Sequence, residues 1–380
     1  MIFNGNGMRE RLTLALPAAL AFLFLLGAAG TMTVRAQGEP TLPQDPAPVM
    51  PKPKPKPPPP PKDEDYEVVR VTSNLVVVPV SVTDAAGQPV LGLKVPDFRL
   101  EEEGRPQEIA QIGDPEQVPL DIAVLLDVSS SVDARFAFEQ QAAAGFLKQV
   151  LKPGDRATIF AIDQKPRFVQ ELTSAERASQ MMMTVMPAKG YTAFYDTVLE
   201  ASRYLEKSSG SGRRKVIVVI SDGDDTARIV DVSAAQNRNS DPKADTKADT
   251  KYIGMDAQLQ LVERSVTEVQ REVQRTEVTF YSINPSGATM HLNVRTARAQ
   301  QGMEKMAEAT GGTSFVPARL EDLPAMFNRI ASELRSQYLL QYYSNNEGAA
   351  GKFLRIKVTL PAQPALRLRA RQGYYPKVKK

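Results

Sequence analysis

The chain contains no cysteine. That absence excludes disulfides, thiolate-held metals, a catalytic thiol and a lipidated N-terminal cysteine. Histidine is nearly missing as well: a single one, His291 in "TMHLN", reads as an ordinary loop residue and leaves little room for zinc or for a Ser/His/Asp triad. Nor is there an excess of one charge. The 47 lysines and arginines stand against 44 aspartates and glutamates, a net +3, and no basic stripe is interleaved with aromatics, so the composition argues against a nucleic-acid partner. Any metal site must then be a hard one, held by oxygen.

What remains is an ordinary globular composition. With 380 residues, 42% hydrophobic and 24% charged, the chain can bury one large core or two moderate ones. Its N-terminus is the exception. Arg9 and Arg11 precede the apolar run "LTLALPAALAFLFLLGAAG", and Val34 and Ala36 stand at small-residue positions before a cleavage point, so residues 1–36 read as an export signal. The run is longer than a usual signal core, which keeps an uncleaved membrane anchor as the alternative. Either way the expected location is outside the cytoplasm: periplasm, cell envelope or secreted. Residues 37–65 include "PAPVMPKPKPKPPPPPK", in which proline removes amide donors and fixes φ, so a stiff polyproline II spacer of about 3 Å per residue is expected.

From Tyr66 the pattern turns to short β-rich runs split by "DAAGQP" and "EEGRP", and the same style returns at 338–376 in "QYLLQYYS", "GKFLRIKVTL" and "ALRLRARQGYY". Neither flank makes a secure core alone. The expectation is that 66–117 and 338–376 pair into one small β-sandwich with everything between them inserted. The insert, 118–337, alternates apolar strands ("DIAVLLDV", "RATIFAID", "RFVQELT", "KVIVVISD", "EVTFYSIN", "TSFVPA") with amphipathic helices. This is the signature of a doubly wound, mostly parallel α/β sheet covered on both faces. The polar tract 227–252, with its repeated "KADT", reads as a surface loop, and "MMMTVM" at 181–186 as the core face of a helix.

Open α/β sheets bind ligands at the carboxyl ends of their strands. Three polar segments are expected at that edge: "DVSSS" with Asp127, Ser129 and Ser131 spaced i, i+2, i+4; "KGYTAFYD" with Thr192 before a helix; and "VIVVISDGDD", whose strand ends at Asp222. Those five oxygens are candidate ligands for one ion. Each also has a plain structural use, as a cap of a strand-to-helix turn, as the N-cap of the next helix or as a turn residue. Asp163, Asp224 and Asp225 share the edge; the first reads as a loop residue and the other two as solvated.

This pattern resembles the von Willebrand factor A domains, whose metal-ion-dependent adhesion site has DxSxS, then a threonine, then an aspartate. Asp127, Ser129, Ser131, Thr192 and Asp222 match it position by position. The flanks, "VSVTDAAGQPVLGLKVPDFRLEEEGRPQEI" and "SQYLLQYYSNNEGAAGKFLRIKVTL…RARQGYY", resemble the VWFA-related acidobacterial subgroup. The resemblance implies a non-enzymatic protein that binds Mg2+ or Mn2+ through hydroxyls and few direct carboxylates. The electron-poor ion then accepts an Asp or Glu carboxylate from a protein partner. Two other readings compete: a metal-dependent envelope hydrolase, which lacks any phosphate-cradling Gly-rich loop, and an energy-coupling or scaffold protein of the envelope, which has no use for the five oxygens.

Overall fold

A computed structural model describes residues 75–129, 134–231, 233, 254–287, 294–346 and 351–376. The expected export segment 1–36, the spacer 37–65, Ser130, Ser131, His291 and most of the tract 227–252 lie outside them. Among the described residues no helix is long and apolar enough to cross a membrane.

The N-terminal flank supplies β1 (Leu75–Thr83), β2 (Arg99–Glu102), β3 (Arg105–Gln107) and β4 (Ile109–Gly113). β2 and β3 form a hairpin whose two turn residues, Glu103 and Gly104, both have positive φ (49° and 74°), the backbone a two-residue turn demands.

The middle of the chain gives β5 (Leu120–Asp127), α1 (Ala134–Val150), β6 (Arg156–Ile162), β7 (Pro166–Thr173), α2 (Ala175–Met182) and α3 (Phe194–Ser208). It continues with β8 (Arg214–Ile220), α4 (226–231), α5 (Met255–Arg275), β9 (Val278–Ile283), α6 (Val294–Thr310), β10 (Ser314–Phe315) and α7 (Leu323–Ser336). Its six strands form one sheet in the order β10-β9-β8-β5-β6-β7. β5 is central, and all eight of its residues are buried because both faces are covered. Side chains of a strand alternate between faces. Leu120, Ile122, Val124 and Leu126 therefore pack with α1, α2 and α7, while Ala123 and Leu125 pack with α3, α5 and α6.

The sheet is mostly parallel, as expected; its edge strand β7 is antiparallel to β6, because only 163–165 separate the two strands and a parallel return needs a crossover of a dozen residues or more. Two expectations need correcting. The polar tract does not begin as a loop: 226–231 is helical, and Ile229 and Ser233 are buried. In "MMMTVM" the core positions are Met182 and Val185 (0% and 2% exposed), but α2 ends at Met182, and Met183 and Met186 are 49% and 69% exposed.

The C-terminal flank supplies β11 (Tyr338–Tyr343), β12 (Leu354–Thr359), β13 (Arg367–Ala370) and β14 (Gly373–Tyr374). Both antiparallel sheets mix the flanks: one runs β13-β1-β11-β4, the other β14-β12-β2-β3. They share one core, in which Val78, Leu340 and Tyr342 of the first meet Leu100, Ile356 and Tyr374 of the second. The fold is thus a mostly parallel α/β layer structure inserted between the strands of a small β-sandwich.

α7 runs into β11 across Gln337 alone, and the junction is held by a buried carboxylate. Glu333 of α7 is 7% exposed. It accepts the hydroxyls of Ser81 in β1 (2.9 Å) and Tyr281 in β9 (3.0 Å) and pairs with Arg369 of β13. Removing it leaves the buried Ser81 and Tyr281 hydroxyls without this acceptor and the part-exposed Arg369 without its carboxylate. Glu333→Ala is therefore expected to lower the unfolding free energy by about 3 kcal/mol in urea titration. Arg369→Ala in that background should cost less than it does alone.

Candidate metal centre

In-register parallel pairing of β5 with β8 sets Leu126 opposite Ile220, so the next residues of the two strands, Asp127 and Ser221, leave the sheet at the same level. Asp127 is 9% exposed. Its Oδ1 accepts the backbone N–H of Ser129 (3.0 Å) and the Ser129 hydroxyl (2.6 Å), and its Oδ2 accepts the hydroxyl of Ser221 (2.7 Å). Ser221 in turn accepts the N–H of Gly223 (3.0 Å), closing the turn that carries Asp222. Gly223 sits at φ 78°, and a Cβ there would lie 2.9 Å from Met303 Cε, so the turn needs glycine.

The Thr192 loop is stitched to the same edge at four points. Ala188 N–H donates to the carbonyl of Val128 (2.7 Å) and Ala193 N–H to that of Asp163 (2.8 Å). Thr192 N–H donates to the Thr226 hydroxyl (2.8 Å), and Ala227 N–H to the Thr192 carbonyl (3.2 Å). Thr192 itself is 6% exposed. It does not cap the following helix: α3 starts at Phe194 with Ala193 as its N-cap, which makes no side-chain capping bond.

That capping work falls to Asp225. Its Oδ2 accepts the N–H of Tyr195 in the first turn of α3 (2.9 Å), and its Oδ1 the N–H of Arg228 in the first turn of α4 (2.9 Å). One carboxylate, 5% exposed, thereby ties together two helix N-termini, where unpaired N–H groups and the helix dipoles favour negative charge. Asp225 is not solvated as its sequence suggests. Neither is Asp224, whose carboxylate pairs with Arg295 at the start of α6 (2.8 Å). Asp163 is a loop residue as expected, accepting Gln164 N–H and pairing with Arg167.

The electrostatics are those of a site short of positive charge. Burial raises the proton affinity of Asp127; the Ser129 and Ser221 donors oppose this, and the negative charge of Asp222 adds to it. Asp224 is raised by burial and by the charges of Asp222 and Asp127, with Arg295 pulling the other way. Among the described residues, Arg295 on Asp224 supplies an ion pair to this group of three, and none reaches Asp127 or Asp222. No cluster of three or more His, Cys, Asp or Glu side chains with metal-holding geometry occurs among the described residues, so a cation here would depend on hydroxyls. The donor set suits a small hard ion: Ser129 gives its proton to Asp127, which leaves the lone pairs of its oxygen for a cation.

Of the five residues picked from the sequence, Asp127, Ser129, Thr192 and Asp222 come to one edge, and Ser131 lies outside the described residues. Ser221 and Asp225 carry as much of the geometry, though the sequence gives Ser221 no role and Asp225 only a solvated one.

Residues 122–224, from β5 through the turn after Asp222, match the sequence profile of the von Willebrand factor type A domain. The protein carries a vWA domain. No curated protein matches the chain. Among solved structures, the vWF domain of the type V pili tip protein Mfa5 from Porphyromonas gingivalis is 14% identical over 56% of this chain and 94% of its own, with a TM-score of 0.39. A von Willebrand factor type A structure from Catenulispora acidiphila is 11% identical over 81% of this chain and 64% of its own, with a TM-score of 0.42. Proximal thread matrix protein 1 of the mussel byssus, in a structure with a zinc-occupied MIDAS motif, is 14% identical over 61% of this chain and 49% of its own, with a TM-score of 0.39.

Asp225 makes the edge of the vWA domain pH-dependent. Burial pushes its carboxyl up from 3.8 to about 6, against the N–H donors of Arg228 and Tyr195 that pull it down. The folded state therefore holds this proton to higher pH than the unfolded chain. The stabilisation from protonating Asp225 is complete below pH 3.8 and lost as pH rises through about 6. A shift of that size corresponds to about 3 kcal/mol at most. In EDTA, the stability of the parent protein minus that of Asp225→Asn should fall by up to that amount between pH 4 and pH 7, as read by urea titration at each pH.

Proposed function

We propose that this is an exported binding protein whose vWA domain holds Mg2+ or Mn2+ and captures a protein partner through an Asp or Glu carboxylate of that partner. The observation that carries the reading is Asp127: a buried carboxylate at the end of the central strand, oriented by two hydroxyls and a backbone N–H, beside Asp222, with no counter-ion among the described residues. Ser129, Ser131 and Thr192 would contribute neutral oxygens, and Asp127 and Asp222 would bind directly or through water. The ion when bound supplies a concentrated positive charge with room for one more oxygen. Ser221 would fix the orientation of Asp127, as partners of ligating carboxylates do.

That Asp225, and not Thr192, caps α3 supports the assignment, because it leaves the Thr192 hydroxyl without a capping duty. The reading as a binding protein rests on what the site is made of: hydroxyls and carboxylates, with the chain's single histidine at position 291 and no thiol to act as base or nucleophile. The proposed layout is an export signal or anchor at 1–36, a Lys/Pro spacer at 37–65 and the displayed body beyond it, with sandwich segments 66–117 and 338–376 around the vWA domain at 118–337.

Capture of a partner from envelope extract on the immobilised protein should be abolished by EDTA, restored by Mg2+ or Mn2+, and lost in Asp127→Ala. Capture of the same partner that ignores EDTA would remove the metal from the mechanism, and metal-dependent hydrolysis lost in Asp127→Ala would replace binding by catalysis. In calorimetric titration with Mn2+, Ser131→Ala and Ser221→Ala should each weaken affinity by about 10- to 100-fold, whereas Ser130→Ala should not change it.

A further inference from the structure

At the opposite edge of the central sheet, where β8 and β9 begin, a cavity of about 390 Å3 opens between the vWA domain and the sandwich. β8 is seven residues long, which puts this cavity roughly 20 Å from Ser221 at a rise of about 3.3 Å per residue. Its volume lies in the range of small-molecule pockets, and seams between packed units are where such pockets concentrate.

The walls are of two kinds. Leu75, Val77 and Pro79 of β1 face Val273 of α5 and Val278 of β9 across an apolar part. The remainder is cationic: Arg213, Arg214, Lys215 and Arg371 line it, with Glu277 as the lining carboxylate. Glu277 is shared by Lys215 (3.9 Å) and Arg371 (3.4 Å). Arg213 pairs with Asp121, which Arg156 also occupies in a two-point contact.

Arg214 stands out. At 8% exposure its hydrogen bonds among the described residues all go to neutral acceptors: the carbonyls of Leu334 (2.7 Å), Pro115 (2.8 Å) and Val118 (3.4 Å) and the amide oxygen of Gln337 (3.2 Å). Burial, together with the nearby Arg335 charge, pulls its proton affinity down to about 10. Unlike Arg214, two lining arginines have a buried N–H, Nε of Arg213 and Nε of Arg371, with no acceptor among the described residues. A cavity wall with more buried guanidinium than carboxylate costs free energy unless an anion joins it.

We propose that this cavity is a second binding site, separate from the metal edge, for a small amphipathic anion: one carboxylate head set against Arg371, Arg213 and Arg214, and an apolar body lying along Val77 and Val273. Its occupation bridges vWA domain and sandwich, since Arg371 also donates to the Val77 carbonyl of β1 (2.8 Å) while Arg214 holds the last turn of α7.

The test is calorimetric titration of the full chain in EDTA with octanoate, octan-1-ol and octylammonium. Octanoate should bind at a single site, octan-1-ol at least about tenfold more weakly and octylammonium more weakly still, because only the carboxylate answers the guanidinium groups. Arg371→Gln should weaken octanoate by about tenfold and leave octan-1-ol unchanged. Val77→Phe, which keeps every cation and fills the apolar part, should abolish binding of both, and Asp127→Ala should leave octanoate binding intact. Equal affinity for octanoate and octan-1-ol, octanoate binding that survives Val77→Phe, or no binding of octanoate at all would each overturn the proposal, and the first and third need no variant to fold.

Discussion

The carboxylate of Asp127 is buried at the end of the central strand, and what holds it among the described residues is a set of hydroxyl and backbone N–H donors, not a cation. Much of the carboxyl edge follows from that. A salt bridge at this point would settle the charge and make an inert strand end. Hydroxyl donors satisfy the oxygens' geometry but leave the charge in place, next to that of Asp222. Such an arrangement is stable only while the sheet beneath it is rigid, and the sheet supplies that rigidity: β5 is buried along its whole length and paired in register on both sides.

The two helix starts that frame the edge depend on it in turn. Asp225 cannot bridge α3 and α4 unless the turn after β8 is closed, and Ser221 closes that turn while also holding Asp127. Thr226 then fixes the Thr192 loop through a backbone N–H. The edge is therefore one connected set of hydrogen bonds spanning three chain segments. Each donor in it is short and stiff (serine, threonine or backbone), which suits holding oxygens in place better than long flexible side chains would.

Much of the fold was legible in the sequence. Runs such as "DIAVLLDV" and "KVIVVISD", short, rich in β-branched residues and bounded by turn chemistry, read as strands buried on both faces, and the return of strand-and-turn chemistry at the C-terminus pointed to sheets shared between the flanks. Asp127 and Asp222 stood out because each ends such a run. Ser221 did not, since its importance comes from the register that sets it level with Asp127, and register between strands some ninety residues apart leaves no local trace. Asp225 was hidden for a related reason: an aspartate in "DGDDT" looks like turn chemistry until the starts of two helices converge on it. β7 follows β6 after three residues, a separation that permits only a hairpin.

The interleaving of the two flanks bears on how the chain acquires its structure. Ser81 of β1 and Gln337, which donates to its hydroxyl, are 256 residues apart. Neither sheet of the sandwich can close until the C-terminal strands emerge, so β1 and β4, whose ladder partners all lie in the C-terminal flank, must wait unpaired through the making of the entire inserted domain. The inserted domain has no such dependence for its own six-stranded sheet, and brings its two ends together as it forms. It acts in this sense as the clasp that shortens the search of the outer strands for one another, converting a closure over hundreds of residues into a local one.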